Sequence, residues 1–217
     1  MKKLLIFDLD GTLLDTLSDL ANSVNFALEE YHLEKKSKEY VRKSIGNGVA
    51  MLIARCIPNG LDNPMYQEIL ATFRNHYFSH YLDNTVPYKG IEITLQKLKE
   101  NGYLLAVVSN KIDRITKDLI VHFFPGVFEV IQGDTSTLNK KPHPDMVNHV
   151  LETLNVDRKD ACYIGDTNVD YETACNSKMD VLLVTYGYRT REEMKEYNIT
   201  APYVDSPLEI ANYFIKT

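Results

Sequence analysis

The 217-residue chain is 44% hydrophobic, enough apolar material for one large domain or for a domain carrying an insertion, and this excludes wholesale disorder. With 30 acidic residues against 24 Lys and Arg the net charge is −6, and no long basic run offers a surface to nucleic acid or anionic membrane. Cys56, Cys162 and Cys175 lack metal-ligand spacing, and no apolar run reaches the length of a signal core or a bilayer span, so a cytoplasmic protein with reduced thiols is expected.

The first element is the apolar run Leu4-Leu5-Ile6-Phe7, which reads as a strand buried on both faces at the centre of a parallel sheet. Its carboxyl end carries Asp8-Leu9-Asp10-Gly11-Thr12, two acids at the edge where open α/β sheets bind ligands, followed by a glycine that lets the chain turn away. Leu17, Leu20, Ala21, Val24, Ala27, Leu28 and Tyr31 then recur at helical spacing, with Thr16 and Asp19 in the relation of a capping box. Ser37 is placed to cap a second helix and Gly46-Asn47-Gly48 to break it. Val49 to Cys56 resume the period, and Asn63-Pro64 opens a fourth helix through Tyr81.

After Gly90 the pattern alternates. Strands are expected at Leu104 to Val108, Phe128 to Ile131, Cys162 to Ile164 and Val181 to Val184, with helices starting near Ile91, Ile112, Pro144, Asn168, Thr190 and Pro207. The predicted architecture is α/β: a Rossmann-like parallel core from residues 1–14 and 85–217, interrupted by an inserted all-helical cap at 15–84.

In a parallel sheet every strand delivers its following loop to one edge. Besides Asp8 and Asp10, that edge should receive Ser109-Asn110, then Gly133-Asp134 with Lys140-Lys141-Pro142, then Gly165-Asp166-Thr167 with Asp170. Singly, Ser109 and Asp166 read equally well as helix caps and Lys141 as a loop lysine. Jointly they supply what phosphoryl transfer through a covalent intermediate needs: a carboxylate nucleophile, a proton-transfer group, hydrogen-bond donors and neutralising charge. Clustered carboxylates repel one another strongly unless a hard cation and a lysine intervene, which argues for magnesium and Lys141.

These four separated motifs resemble those of the haloacid dehalogenase superfamily, and within it the phosphoglycolate phosphatase-like branch. Asp8-Leu9-Asp10-Gly11-Thr12 is similar to the first motif, Ser109 to the second, Lys141 within Lys141-Pro142-His143-Pro144-Asp145 to the third, and Gly165-Asp166-Thr167 with Asp170 to the fourth. The resemblance implies a magnesium-dependent phosphatase acting on a small phosphorylated metabolite, as a monomer or homodimer. In it Asp8 is the nucleophile, Asp10 the acid and base, and Ser109 and Lys141 the groups facing the phosphoryl oxygens. Asp8, Asp10 through its main-chain carbonyl, Asp166 and Asp170 surround the metal.

Substrate contacts are expected from Thr12, Ser109, Asn110 and Lys141, and in the cap from Asn47, set between two glycines. Arg42, Lys43 and Arg55 either meet a substrate anion or form a solvated helix face. Asp10 disfavours the dehalogenases and phosphonate hydrolases, which lack that second acid. Sugar phosphomutases share all four motifs and are the alternative, followed by a phosphoacceptor signalling domain.

Overall fold

The computed structural model describes residues 2–215. In chain order its elements are β1 (Leu4–Phe7), β2 (Leu14–Asp15), α1 (Leu17–Glu30), α2 (Lys38–Ser44), α3 (Val49–Cys56), α4 (Tyr66–His80), β3 (Val86–Pro87), α5 (Ile91–Glu100) and β4 (Leu104–Ile112). Then follow α6 (Asp113–Phe123), β5 (Val130–Asp134), α7 (Asp145–Leu154), β6 (Ala161–Gly165), α8 (Asn168–Asn176), β7 (Asp180–Val184), α9 (Arg191–Glu196), β8 (Tyr203–Val204) and α10 (Pro207–Phe214). The chain divides into two compact units, Asp15–Val86 and the remaining described residues. No helix among the described residues is long and apolar enough to cross a membrane.

The larger unit is built on a six-stranded sheet in the order β5-β4-β1-β6-β7-β8, parallel throughout. β1 lies between β4 and β6 and all four of its residues are fully buried, which is why its sequence is apolar without alternation. Its side chains point to opposite faces in turn. Leu4 and Ile6 join Ala106, Val108, Ala161 and Tyr163 in a core covered by Met146, Val147, Val150 and Leu151 of α7. Phe7 meets the edge of Phe128, ring centroids 6.2 Å apart. Each such fully buried aliphatic or aromatic side chain contributes about 1.5–3 kcal/mol relative to exposure.

Register sets the functional edge. Phe7 pairs with Val107 on one side and Ile164 on the other, so Asp8 leaves the sheet level with Val108 and Gly165. Ser109 and Asp166 follow at once on the neighbouring strands.

The helical unit packs α1 against α4, α1 against α2, and α3 against both α2 and α4. Leu20, Val24 and Leu28 from α1 and Ile69, Leu70, Phe73 and Tyr77 from α4 are buried, following the predicted apolar stripes. Ser37 caps α2 as expected, accepting from the Tyr40 amide at 3.1 Å.

Several local expectations are corrected. Thr16 makes no side-chain cap to α1. Its proposed partner Asp19 instead accepts from the amides of Asn84 and Thr85 at 3.0 and 2.9 Å and from the Thr85 hydroxyl at 2.8 Å, because a buried carboxylate is best satisfied by several donors. Helix α4 begins at Tyr66 rather than at Asn63-Pro64, with Asn63 closing a turn onto the Met65 amide at 2.8 Å. The strand predicted from Phe128 starts two residues later, at Val130, because half-buried Phe128 packs its ring on Phe7 and Phe124 and β4 extends through Ile112, pairing with Asp134 after a register shift. The two-residue edge strand β8 was not anticipated. It is too short to show a period.

Candidate active site

At the carboxyl edge of the sheet, Lys141 is the central cation. It sits in the loop between β5 and α7, its side chain is 3% exposed, and its Nζ lies 2.8 Å from Asp8 Oδ1 and 2.8 Å from Asp170 Oδ1. The ammonium also sits over the Tyr163 ring, 5.7 Å from its centroid. Burial works against its charge, but Asp170 and Asp8 more than offset that penalty and hold the Lys141 pKa well above its ordinary value.

The loop that carries Lys141 is fixed by Asn110. The Asn110 amide accepts from the Lys141 main-chain N–H at 2.8 Å and donates to the Lys141 carbonyl at 3.0 Å. Asn110, expected to meet substrate, is thus engaged through both ends of its amide in placing the lysine.

Asp170 lies in the first turn of α8. Its Oδ2 accepts from the Asp166 and Thr167 amides at 3.2 and 2.9 Å and from the Thr167 hydroxyl at 2.7 Å, while Oδ1 takes Lys141. With four donors on two oxygens, Asp170 is an anchor for the lysine and for the start of the helix.

Asp166 is fully buried after β6. Its Oδ2 accepts from the Tyr188 amide at 2.6 Å and its Oδ1 from the Thr12 hydroxyl at 3.2 Å. Thr12, expected to touch substrate, therefore faces Asp166. The backbone closes tightly around this carboxylate: a Cβ on Gly11 (φ +85°) would fall 2.2 Å from Asp166 Oδ2, and one on Gly187 would fall 2.2 Å from the Gly11 carbonyl oxygen. Only glycine permits that approach.

One carboxylate oxygen each from Asp8, Asp166 and Asp170 lies within 4.8 Å of the others. Burial, joined by repulsion from Asp170 and opposed by Lys141, raises the Asp8 pKa to about 7. Burial and repulsion from Asp170 and Asp8 likewise raise Asp166 well above the ordinary carboxylate range. With all three carboxylates ionised, one lysine leaves two negative charges, and the donor set is all oxygen. Such a cluster fits one hard divalent cation such as Mg²⁺.

Asp10 stands apart from that cluster. Both its oxygens accept from Lys111 Nζ, at 2.7 and 2.9 Å, and the Lys111 side chain is 3% exposed. Ser109, 2% exposed, accepts from the Lys111 amide at 3.3 Å. The sequence reading missed Lys111 because it ended the strand at Val108, although the residue directly follows Ser109-Asn110. It also missed Gly187 and Tyr188, which lie in the loop after β7, a strand end that reading did not include.

Within the helical unit, Asn47 adopts φ +62° and its side-chain oxygen accepts from Arg55 Nη2 at 3.0 Å. Arg55 Nη1 also donates to the carbonyls of Ser44 and Gly46 at 2.8 and 3.1 Å, so this arginine organises the Gly46-Asn47-Gly48 turn. Arg42 is paired with Glu39 through Nε at 2.7 Å and Nη2 at 2.7 Å, and Lys43 approaches the same carboxylate at 3.6 Å. These are i,i+3 and i,i+4 ion pairs along α2, with the Arg42 side chain largely covered and Glu39 and Lys43 exposed.

Residues 5–184 match the model of the haloacid dehalogenase-like hydrolase family. The chain is 33% identical to a phosphoglycolate phosphatase of Aquifex aeolicus over 92% of its length and 93% of the relative's. It is 32% identical to one of Psychrobacter arcticus over 99% and 96%. A solved structure from Lactobacillus delbrueckii subsp. bulgaricus, provisionally assigned as a phosphoglycolate phosphatase, superimposes with a TM-score of 0.95 at 30% identity, all of both chains being covered. Parallel sheet, strand-end carboxylates, buried lysine and matched family model agree, and the chain belongs to the haloacid dehalogenase-like hydrolases.

Proposed function

We propose that this hydrolase cleaves small phosphomonoesters of the phosphoglycolate kind through an aspartyl-phosphate, with Asp8 as nucleophile. The observation that carries the reading is the division of charge at the sheet edge. Asp8 and Asp170 share Lys141, with an Asp166 oxygen within 4.8 Å of theirs, while Asp10, two residues from the nucleophile, is held by Lys111. The phosphoglycolate phosphatase relatives supply the substrate class.

Mg²⁺ would be held by Asp8 and Asp166, with the Asp10 carbonyl and Asp170 beside it, and when bound it supplies charge neutralisation and polarisation of a phosphoryl oxygen. An Asp8 carboxylate oxygen attacks phosphorus and forms the acyl-phosphate bond as the ester P–O bond breaks. Asp10 gives its proton to the departing oxygen. In the second half-reaction Asp10 takes a proton from the attacking water, the acyl-phosphate bond breaks, and inorganic phosphate leaves with Asp8 restored. Proton transfer by a positioned group contributes typically about 10²–10⁴-fold. Lys141 keeps its charge throughout and faces the phosphoryl group beside the nucleophile, while the Ser109 hydroxyl is free to rotate its proton toward a phosphoryl oxygen.

Phosphate release from phosphoglycolate and p-nitrophenyl phosphate, with Mg²⁺ and with EDTA, is the direct test. Turnover is expected with metal, with Asp8→Asn inactive yet folded by circular dichroism. Wild-type enzyme that releases no phosphate from either ester, or an Asp8→Asn variant at full rate, overturns the assignment.

A further inference from the structure

We infer that Lys111 is a positioning residue for Asp10, fixing the carboxylate that moves the proton so that cleavage of esters with poor leaving groups depends on it. The inference rests on the acid/base reading of Asp10 given above. Lys111 belongs to the far end of β4, within the stretch between Val108 and Ile112 where the pairing to β5 shifts register, and its ammonium reaches Asp10 just beyond β1. The ammonium reaches both oxygens of Asp10, at 2.7 and 2.9 Å, and is almost wholly withdrawn from solvent while Asp10 keeps 18% of its side chain exposed.

A carboxylate two bonds from its backbone has rotational freedom about χ1 and χ2. Contact with a buried cation at both oxygens removes that freedom and leaves the outer part of the group open to a reacting oxygen. Lys141 is committed to Asp8 and Asp170, so the two lysines divide the work: one serves the nucleophile, the other the proton carrier.

In the step concerned, the Asp8–phosphorus bond forms, the phosphorus–alkoxide bond breaks, and the alkoxide oxygen takes the proton from Asp10. Lys111 neither gains nor loses a proton. An alkoxide leaving group needs that proton urgently. A p-nitrophenolate hardly needs it, because it is already a stable anion.

The test compares kcat/KM, which reports the chemistry up to departure of the alcohol, for phosphoglycolate and p-nitrophenyl phosphate in wild type, Lys111→Met, Asp10→Asn and the double variant. Lys111→Met is expected to lose about 30-fold or more on phosphoglycolate and less than about fivefold on p-nitrophenyl phosphate. In the Asp10→Asn background the same replacement should change the phosphoglycolate rate less than about twofold, since residues acting through one another are non-additive. The Mg²⁺-dependent rise in melting temperature should match wild type, which shows the carboxylate cluster intact. Should Lys111→Met not fold, Lys111→Gln takes its place with the same pattern expected.

Equal losses on both substrates, or the same loss in both backgrounds, overturn the inference, because they make Lys111 a structural or phosphate-binding residue. If Asp10→Asn itself shows no leaving-group bias, the acid/base reading of Asp10 fails and the inference falls with it. Bias for Asp10→Asn without bias for Lys111→Met sinks the inference alone.

Discussion

Asp166→Asn should stabilise the metal-free protein while removing much of what Mg²⁺ adds. Asp166 is fully buried, with one oxygen within 4.8 Å of oxygens on Asp8 and Asp170. Two unit charges at that separation repel by about 3 kcal/mol at an effective dielectric of 20. Partial protonation of the cluster relieves some of this, so the neutral amide should gain about 1–3 kcal/mol. The amide fits the site: its oxygen takes the Tyr188 N–H and its nitrogen faces the Thr12 hydroxyl, which can turn to accept. For a chain of this size 1 kcal/mol moves the melting temperature by roughly 2–4 °C, giving a rise of about 2–12 °C in EDTA. Wild type in Mg²⁺ at 100 times its dissociation constant should gain about 2.7 kcal/mol, and the variant far less. Scanning calorimetry at pH 7.5 with EDTA and with MgCl₂ reads both numbers. A metal-free variant that melts below wild type, or one that keeps the full Mg²⁺ increment, refutes the reasoning.

Mg²⁺ affinity, followed by calorimetric titration, should rise with pH through about 7, because Asp8 must lose its proton to bind the cation and burial has raised its pKa to about 7. The sign reverses for the stability of the metal-free fold. Asp8 binds its proton more tightly folded than unfolded, so its contribution falls as pH rises from the ordinary carboxyl value of 3.8 through about 7. Gly187→Ala should destabilise by about 1–3 kcal/mol in denaturant melts and weaken Mg²⁺ binding, since the added carbon would sit 2.2 Å from the Gly11 carbonyl and 2.5 Å from Asp166 Cβ. Asn110→Ala removes both bonds to the Lys141 main chain and should lower kcat about tenfold with a smaller change in KM; an unaltered kcat would show that the loop holds the lysine without it.

The central fold was legible because its strands announce themselves. A strand buried on both faces must be an unbroken apolar run, as Leu4–Phe7 is, and a parallel sheet must send the next residues to one edge. Hence Asp8, Lys141, Asp166 and Asp170 could be assigned to one edge, and the structure places Lys141 2.8 Å from Asp8 and from Asp170 with an Asp166 oxygen within 4.8 Å of theirs. What each side chain grips was not legible. Asn110 and Thr12 have the amide and hydroxyl groups of substrate ligands, and in the structure one bonds the Lys141 backbone and the other Asp166. Lys111 was lost for a different reason: hydrophobicity ends at Val108 while the backbone ladder runs on to Ile112. A strand's polar tail gives no periodic signal, and at this sheet edge the polar tail is where the chemistry is.

The pairing of two lysines with two sets of carboxylates explains why acids so close in sequence can be given different work. Asp8 sits in a cluster that carries two negative charges beyond what Lys141 neutralises, so its carboxylate is completed by a divalent cation and presented to phosphorus. Asp10 and Lys111 carry no net negative charge, whether Asp10 is ionised or holds the proton it transfers, so a cation has no electrostatic reason to invade the pair. Neutralising the lysine of one set should therefore leave the other set's task in place. Lys141→Met should weaken Mg²⁺-dependent turnover equally for good and poor leaving groups, because it acts at the nucleophile, whereas leaving-group bias belongs to the Asp10 side. A Lys141→Met enzyme that lost phosphoglycolate hydrolysis selectively and kept that of p-nitrophenyl phosphate would show that the two sets are not electrostatically separate, and the division of labour built on them would have to be abandoned.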